Sequence, residues 1–347
     1  MSKFPLAMAF LAALLFGAAT PASKKLLQTL PTFQLAGLLY LGAALGVIPL
    51  IVKERKFSWP WKLDRKTALR LLGAISLGGV VGPVLLLFGL KLASSASVSL
   101  WLNLELIATV LFGYLVFRDK LSPHAWVATV GTLAAATLLS ISEGYAGVQA
   151  GLLVTLACLC WGLDNHFTAL ITGITPAQTT LWKGLVAGII NLVIGLQLDA
   201  YTATVFLTAA ALFVGIFSYG ISLLLYITSA QKLGATRSQI IFSSAPFFGV
   251  ILAATFLREP ISLAQIIATL VIIVSLVFLF FEKHLHTHRH EATVHEHWHR
   301  HDDGHHDHLF PGTPHATYHS HRHEHKAMTH THPHWPDPDH RHNHNDD

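Results

Sequence analysis

Residues 15–31 read LFGAATPASKKLLQTLP, and residues 160–176 read CWGLDNHFTALITGITP. Each run sets a glycine, Gly17 or Gly162, 14 residues ahead of a proline, Pro31 or Pro176. The likeness continues downstream at nearly the same offset. FRDKLS at 117–122 answers LREPIS at 257–262, and Lys91-Leu92-Ala93-Ser94 answers Lys232-Leu233-Gly234-Ala235. The chain reads as one unit written twice.

What the unit contains follows from its apolar runs. A hydrocarbon core about 30 Å thick takes roughly 20 apolar residues of helix. Runs of that kind fall near 5–23, 33–52, 69–90, 94–117, 124–142, 149–168, 177–198, 204–229, 235–257 and 262–281. Gly78, Gly79, Gly82 and Pro83 interrupt the third and Pro246 the ninth, which is tolerated where neighbouring helices satisfy the freed backbone. Lys3, an apolar run and the small residues Ala18 to Ala22 also fit a leader peptide, but the counterpart at 160–176 marks the segment as part of the repeat. The expected fold is therefore an all-α membrane protein of ten transmembrane helices in two inverted five-helix repeats, residues 1–143 and 144–283, followed by a disordered tail over 284–347. The inversion is a matter of parity. An odd number of crossings lands the second copy upside down, and rocking one copy against the other gives alternating access to a site near the midplane.

Composition agrees, once divided. The whole chain is 52% hydrophobic and 12% charged, with mean hydropathy +0.50. The tail holds 22 of the 24 histidines, with five Lys/Arg against ten Asp/Glu; the remainder holds 18 against nine. The sign of each loop thus matters more than the net +4. Lys53, Arg55, Lys56, Lys62, Arg65, Lys66 and Arg70 crowd the loop between spans 2 and 3, and placing it in the cytoplasm puts 12 basic residues inside against four outside. Both termini are then expected in the cytoplasm of a bacterial inner membrane. Trp59 and Trp61 in that loop suit the headgroup layer. Cys158 and Cys160 read as small apolar residues of a helix.

Ionisable groups inside a span are costly and mark a pathway. Glu105 lies about 11 residues from either end of its expected span, close to the midplane, and is a candidate proton carrier or a structural hydrogen-bonding group. Asn103 lies two residues away, on another face. Asp164, Asn165 and His166 sit towards the inner end of span 6, as a gate, a cation contact or interfacial caps. Lys183, a turn and a half into span 7, either pairs with Asp164 or reaches back to the headgroups. Asn191 is a mid-span amide suited to interhelical bonding, and Trp161, Tyr219 and Tyr226 are candidate pocket walls. The substrate pathway is drawn through Asn103, Glu105, Trp161, Asp164, Asn165, Lys183, Asn191 and Tyr219.

These residues resemble a known family, the drug/metabolite transporter superfamily of EamA type, over roughly residues 5–281. Its repeat closes on a helix followed by Leu-Gly-Glu-Arg/Pro-Leu, matched here by Phe117–Leu121 and Leu257–Ile261. Its small-residue helix opening looks like Ser94–Leu100 and Gly234–Ile240, and its Trp-Gly is matched by Trp161-Gly162, with Phe16-Gly17 in the first half. The proline of its ninth span matches Pro246, while the fourth span has Asn103-Leu104-Glu105 there. Leu-Asn-Leu-Glu, Cys-Trp-Gly-Leu-Asp-Asn at 160–165 and Lys183-Gly184 are similar to one bacterial subgroup, some of whose members have comparable His-rich tails. The resemblance implies a secondary transporter.

The tail repeats His-x-His: His284, His286, His288 and His290; His295, His297, His299 and His301; His319, His321, His323 and His325; His330, His332 and His334; His340, His342 and His344. Its Pro, Asp and scarce large apolar residues mean no core, so the segment is expected to be disordered alone. Neutral imidazoles bind Zn²⁺, Ni²⁺, Co²⁺ or Cu²⁺, and the same groups titrate near pH 6.5, so metal binding and pH response are both open. No phosphate-cradling Gly-x-x-x-x-Gly-Lys-Ser/Thr loop occurs, which argues against ATP coupling within the chain. The chain is expected not to be an enzyme and to need no cofactor. Its expected partners are the lipid bilayer, a small solute, protons and transition-metal ions, with a homodimer left open and no nucleic acid. The expected function is export of small polar metabolites or drug-like solutes, with the tail buffering or sensing metal. The alternatives are a transition-metal effluxer fed by the tail and a membrane-anchored metal store or sensor.

Overall fold

The computed structural model describes residues 3–54, 57–117, 123–280, and the tail segments 284–290, 293–299, 319–325 and 328–334. Among the described residues, nine helices are long and apolar enough to cross a membrane: Phe4–Leu26, Thr32–Ile51, Arg65–Leu92, Ser95–Val116, Pro123–Ser142, Gly144–Ala169, Pro176–Leu198, Val205–Leu233 and Arg237–Phe256. A shorter apolar helix, Leu263–Phe280, follows. They are numbered spans 1 to 10. Spans 3, 6 and 8 outrun the roughly 20 residues that the hydrocarbon needs, at 28, 26 and 29 residues, because polar ends continue the helix into the interface.

Local chemistry sets the ends. Asp64, Ser94, Thr175 and Thr204 cap the starts of spans 3, 4, 7 and 8, each side chain accepting from the backbone N–H three residues on. Hydrogen bonding to Thr67 holds the Asp64 carboxyl below the usual carboxylate range. Irregularities recur at equivalent places in the two halves. Span 3 widens into a π-helix over Ala74–Val81 and span 8 over Gly215–Ile221. Span 4 is interrupted at Leu102–Asn103, between helices Ser95–Trp101 and Leu104–Phe117; span 9 breaks at Ser243–Ser244, between Ala235–Phe242 and Ala245–Phe256. Span 1 also breaks, after Gly17, whereas span 6 runs unbroken.

Packing follows the same duplication. Span 2 packs on span 7, span 5 on span 10 and span 4 on span 9, while span 1 lies on span 8 and span 3 on span 6. Exchanging spans 1–5 for spans 6–10 leaves these pairings unchanged. Spans 2 and 7 run antiparallel: Gln34 meets Gly195, Gly37 meets Leu192, Leu41 meets Gly188 and Ala44 meets Gly184. Those glycines let the backbones close on one another, and an added Cβ at Gly184 would lie 2.7 Å from the Ala44 nitrogen and the Tyr40 oxygen.

Residues 283–347 form a separate unit. Its described segments pair two by two, His284–His290 antiparallel with Met328–His334 and Thr293–His299 with His319–His325. The His-x-His alternation has the period-2 repeat of a pleat, so extended pairing asks for no apolar core. His301, His340, His342 and His344 lie outside the described residues, as do Arg118 to Ser122 of the FRDKLS motif.

Candidate functional site

Polar side chains from both halves meet inside the membrane-spanning unit. Glu105, just past the break in span 4, is 7% exposed and accepts from Asn165 Nδ2 of span 6 at 2.9 Å. The same amide lies 3.1 Å from Thr109 Oγ1 and 3.3 Å from Gln239 Oε1 of span 9. At the adjacent position of span 6, Asp164 forms a buried ion pair with Lys183 of span 7. Of the two roles open to Lys183, pairing is the one observed. Asp164 Oδ1 and the Tyr226 hydroxyl are buried without hydrogen-bond partners among the described residues.

These groups face a small cavity of about 30 Å³, room for about one water molecule. Its walls are aromatic. Tyr219 meets Phe16 and Tyr40 with ring centroids 5.6 and 5.5 Å apart, and Phe242 meets Phe16 and Tyr226 at 5.2 and 5.0 Å. Trp161 and Leu223 complete the lining.

The π-helical turn of span 3 holds the walls in place. A wide turn frees backbone carbonyls from the regular ladder. The Gly78 carbonyl accepts from Tyr40 Oη at 2.5 Å and from Trp161 Nε1 at 3.0 Å, and the Gly79 carbonyl accepts from Asn191 Nδ2 at 3.2 Å. Gly78 is also where the ion pair needs space, since a Cβ there would lie 2.1 Å from Asp164 Oδ2 and 2.7 Å from Lys183 Nζ.

Six of the eight pathway residues read from the sequence thus come together: Glu105, Trp161, Asp164, Asn165, Lys183 and Tyr219. Two do not reach the cavity. Asn103 sits in the interruption of span 4 and donates to the Leu100 carbonyl at 3.1 Å, which closes the local turn. Asn191 braces span 3 instead. His166 Nε2 donates to the Thr109 carbonyl at 2.8 Å and belongs to the span 4–span 6 contact. Phe16, the repeat counterpart of Trp161, completes the site with Tyr40, Phe242 and Gln239, which carry no mark in the sequence. Aromatic residues are common throughout these spans, and Gln239 has Val98 at the equivalent position of the first half.

Hydrogen bonds between the halves tie together both ends of the membrane-spanning unit. At one end, Glu259, between spans 9 and 10, accepts from the Ser95 N–H and hydroxyl and from the Ala96 N–H at 2.7–3.1 Å. Gln265 Nε2 donates to the Ser94 and Ser97 hydroxyls, which in turn donate to Glu143. At the other end, Glu54 accepts from Thr175 Oγ1 at 2.7 Å and from Gln178 Nε2, and Arg70 donates to the Leu170 carbonyl at 2.6 Å.

Two five-helix halves around a buried polar chamber agree with the sequence comparisons. The profile of the EamA-like transporter family matches residues 3–141 and again residues 149–281. The chain belongs to that family. Its two matches take in spans 1–5 and spans 6–10 in turn, so the EamA fold accounts for the whole membrane-spanning unit. An uncharacterized transporter from Methanothermobacter thermautotrophicus is 28% identical over 241 residues, 66% of this chain and 69% of that relative. A solved chain described as "Crystal structure of protein" superposes with a TM-score of 0.61 at 18% identity, covering 80% of this chain and 97% of the other, and shows the fold alone. This EamA protein is a multi-pass membrane protein of transporter type.

Proposed function

We propose that the protein is a secondary active transporter that exports small polar metabolites or drug-like solutes by alternating access, with proton coupling at Glu105. The observation that carries this reading is the chamber: buried ionisable groups from both halves in one aromatic-lined cavity. Groups of this cost persist inside a bilayer where they serve a pathway. The antiparallel contact of spans 2 and 7 supports an inverted arrangement of the two repeats, and equivalent irregularities in spans 3 and 8 and in spans 4 and 9 support a half-site from each.

The cavity holds too little room for a solute while both ends are closed. Transport then consists of releasing the Glu259–Gln265 network or the Glu54–Arg70 network in turn. Release at one end widens the chamber there, and re-formation seals it. Asp164 is matched by Lys183, which leaves Glu105 as the chamber carboxyl without a basic partner among the described residues. Protonation at Glu105 on one side and loss of the proton on the other is the simplest way for this site to exchange a proton for solute.

Metal export has less support at the chamber. Among the described residues no group of three His, Cys, Asp or Glu is placed to hold a metal ion. The tail histidines are read as a metal-binding regulatory segment, with Zn²⁺, Ni²⁺, Co²⁺ or Cu²⁺ as the ions that suit imidazole. Removal of residues 283–347 separates the readings. Solute export is retained and its response to metal lost on the first, metal resistance is lost on the second, and no flux from the full chain marks a store or sensor.

The test of coupling is Glu105→Gln, which keeps the shape and the Asn165 contact. In vesicles carrying a pH dye, solute-driven proton movement is expected to disappear while yield and melting stay unchanged. Proton movement at the native rate in that variant removes Glu105 from the mechanism.

A further inference from the structure

The loop joining spans 2 and 3 carries a second constellation, apart from the chamber. Phe57 meets Trp59 edge-on with centroids 5.2 Å apart, and Trp59 stacks on Trp61 at 4.5 Å. Phe57 and Trp59 both lie against Trp182 of span 7, at 5.9 and 5.6 Å. Trp61 is 71% exposed and Trp59 41%. Basic residues frame this ladder. The single turn Pro60–Lys62 sets Lys62 beside Trp61, and Arg65 and Lys66 open span 3. All three are exposed, and none pairs with a described carboxylate. The acids of the same stretch are engaged elsewhere, Asp64 in capping span 3 and Glu54 on Thr175 and Gln178.

Depth decides what this surface meets. Ile51 ends span 2 and Arg65 begins span 3, so the ladder lies where the hydrocarbon gives way to headgroups. Indole rings are at home in that layer, and unpaired basic residues beside them attract phosphate. A soluble anion needs the charges without the rings, and plain lipid contact needs the rings without the charges. Trp182 backs the ladder from span 7, with its indole N–H buried beneath the exposed rings.

We propose that Trp59, Trp61, Lys62, Arg65 and Lys66, backed by Trp182, form a binding site for an anionic phospholipid. The glycerol ester region lies on the indole ladder, and the phosphate faces the three basic side chains. The site also bears on transport. Ser58 N–H donates to Gln178 Oε1 at 3.1 Å, and Glu54 holds Thr175 and Gln178, so the loop is tied to the start of span 7. Trp182 directly precedes Lys183 of the chamber. A lipid seated here steadies the end of the transporter that Glu54 closes.

The membrane-spanning fold is all this inference requires, and its test reads no transport, so its failure is distinct from failure of the proposed function. The full chain is reconstituted in phosphatidylcholine vesicles with rising fractions of brominated phosphatidylglycerol or brominated phosphatidylcholine, and tryptophan fluorescence is followed. Half-maximal quenching is expected at a mole fraction about threefold lower for the anionic lipid. The triple variant Lys62→Gln, Arg65→Gln, Lys66→Gln should bring the two curves together with its melting temperature retained. Trp59→Phe with Trp61→Phe should lower the quenching amplitude and keep the preference of the remaining rings. Excess inorganic phosphate should leave the native preference intact. Coincident curves in the native protein, a preference that survives the triple substitution, or one abolished by free phosphate would each overturn the proposal.

Discussion

Asp164 and Lys183 sit where neither charge reaches water, so the free energy of each depends on the other. Removing one partner of such a buried pair typically costs about 3–5 kcal/mol, because the remaining charge is stranded. Lys183→Gln alone should therefore lower thermal stability in detergent by an amount of that order, while Lys183→Gln combined with Asp164→Asn should recover most of it. Solute flux should stay absent in both. A double variant as unstable as the single one would mean that the pair contributes little and that packing around Gly78 dominates. This part of the site was legible in advance because charge inside an apolar run stands out. Glu105, Asp164, Asn165 and Lys183 were each conspicuous against their spans. The aromatic walls were legible in part. Trp161, Tyr219 and Tyr226 stood out as candidates and Phe16 as the counterpart of Trp161, whereas Tyr40 and Phe242 differ in no sequence feature from rings that face lipid, and only the packing of spans 2 and 9 turns them inward.

The elements that bear on the chamber are the irregular ones. Gly78, Gly79, Gly82 and Pro83 announced an interruption in span 3, and Pro246 one in span 9. The break at Leu102–Asn103 has no proline or glycine to announce it, and the π-helical turn of span 8 has only Gly215 and Gly220. Equivalence with the other half was the available signal, and it weakens where one copy keeps its proline and the other does not. Span 4 is also the element held by the Glu259–Gln265 network, whose carboxylate takes two backbone N–H groups at its start. Glu259→Ala removes those acceptors and should free that end of span 4 from span 10. The measure is alkylation at Ser99→Cys in a background free of Cys158 and Cys160, since Ser99 is buried and packs against Gly249 of span 9. Labelling by a membrane-impermeant maleimide should rise several-fold with Glu259→Ala and stay low with the native glutamate. Equal labelling in the two backgrounds would show that Glu259 caps a helix without closing the chamber.

At the scale of the molecule, parity and charge make one demand. Five crossings separate each residue of the first repeat from its equivalent in the second, so equivalent loops must face opposite sides of the bilayer. The loop between spans 2 and 3 together with the first two turns of span 3 holds seven Lys/Arg from Lys53 to Arg70, whereas the equivalent loop between spans 7 and 8, DAYTAT at 199–204, holds none and begins with an acid. Basic loops are retained on the cytoplasmic side, so the two copies carry opposite instructions in equivalent helices. The antiparallel contacts of Gln34 with Gly195 and Ala44 with Gly184 are what such insertion produces. Alkaline phosphatase joined after Lys62 should be inactive and joined after Ala200 active, while a fluorescent protein joined after Glu282 should glow. Activity at both of the first two positions would mean parallel repeats. The chamber would then have no symmetric counterpart to open towards the other face, and alternating access by exchange of the two halves would fail with it.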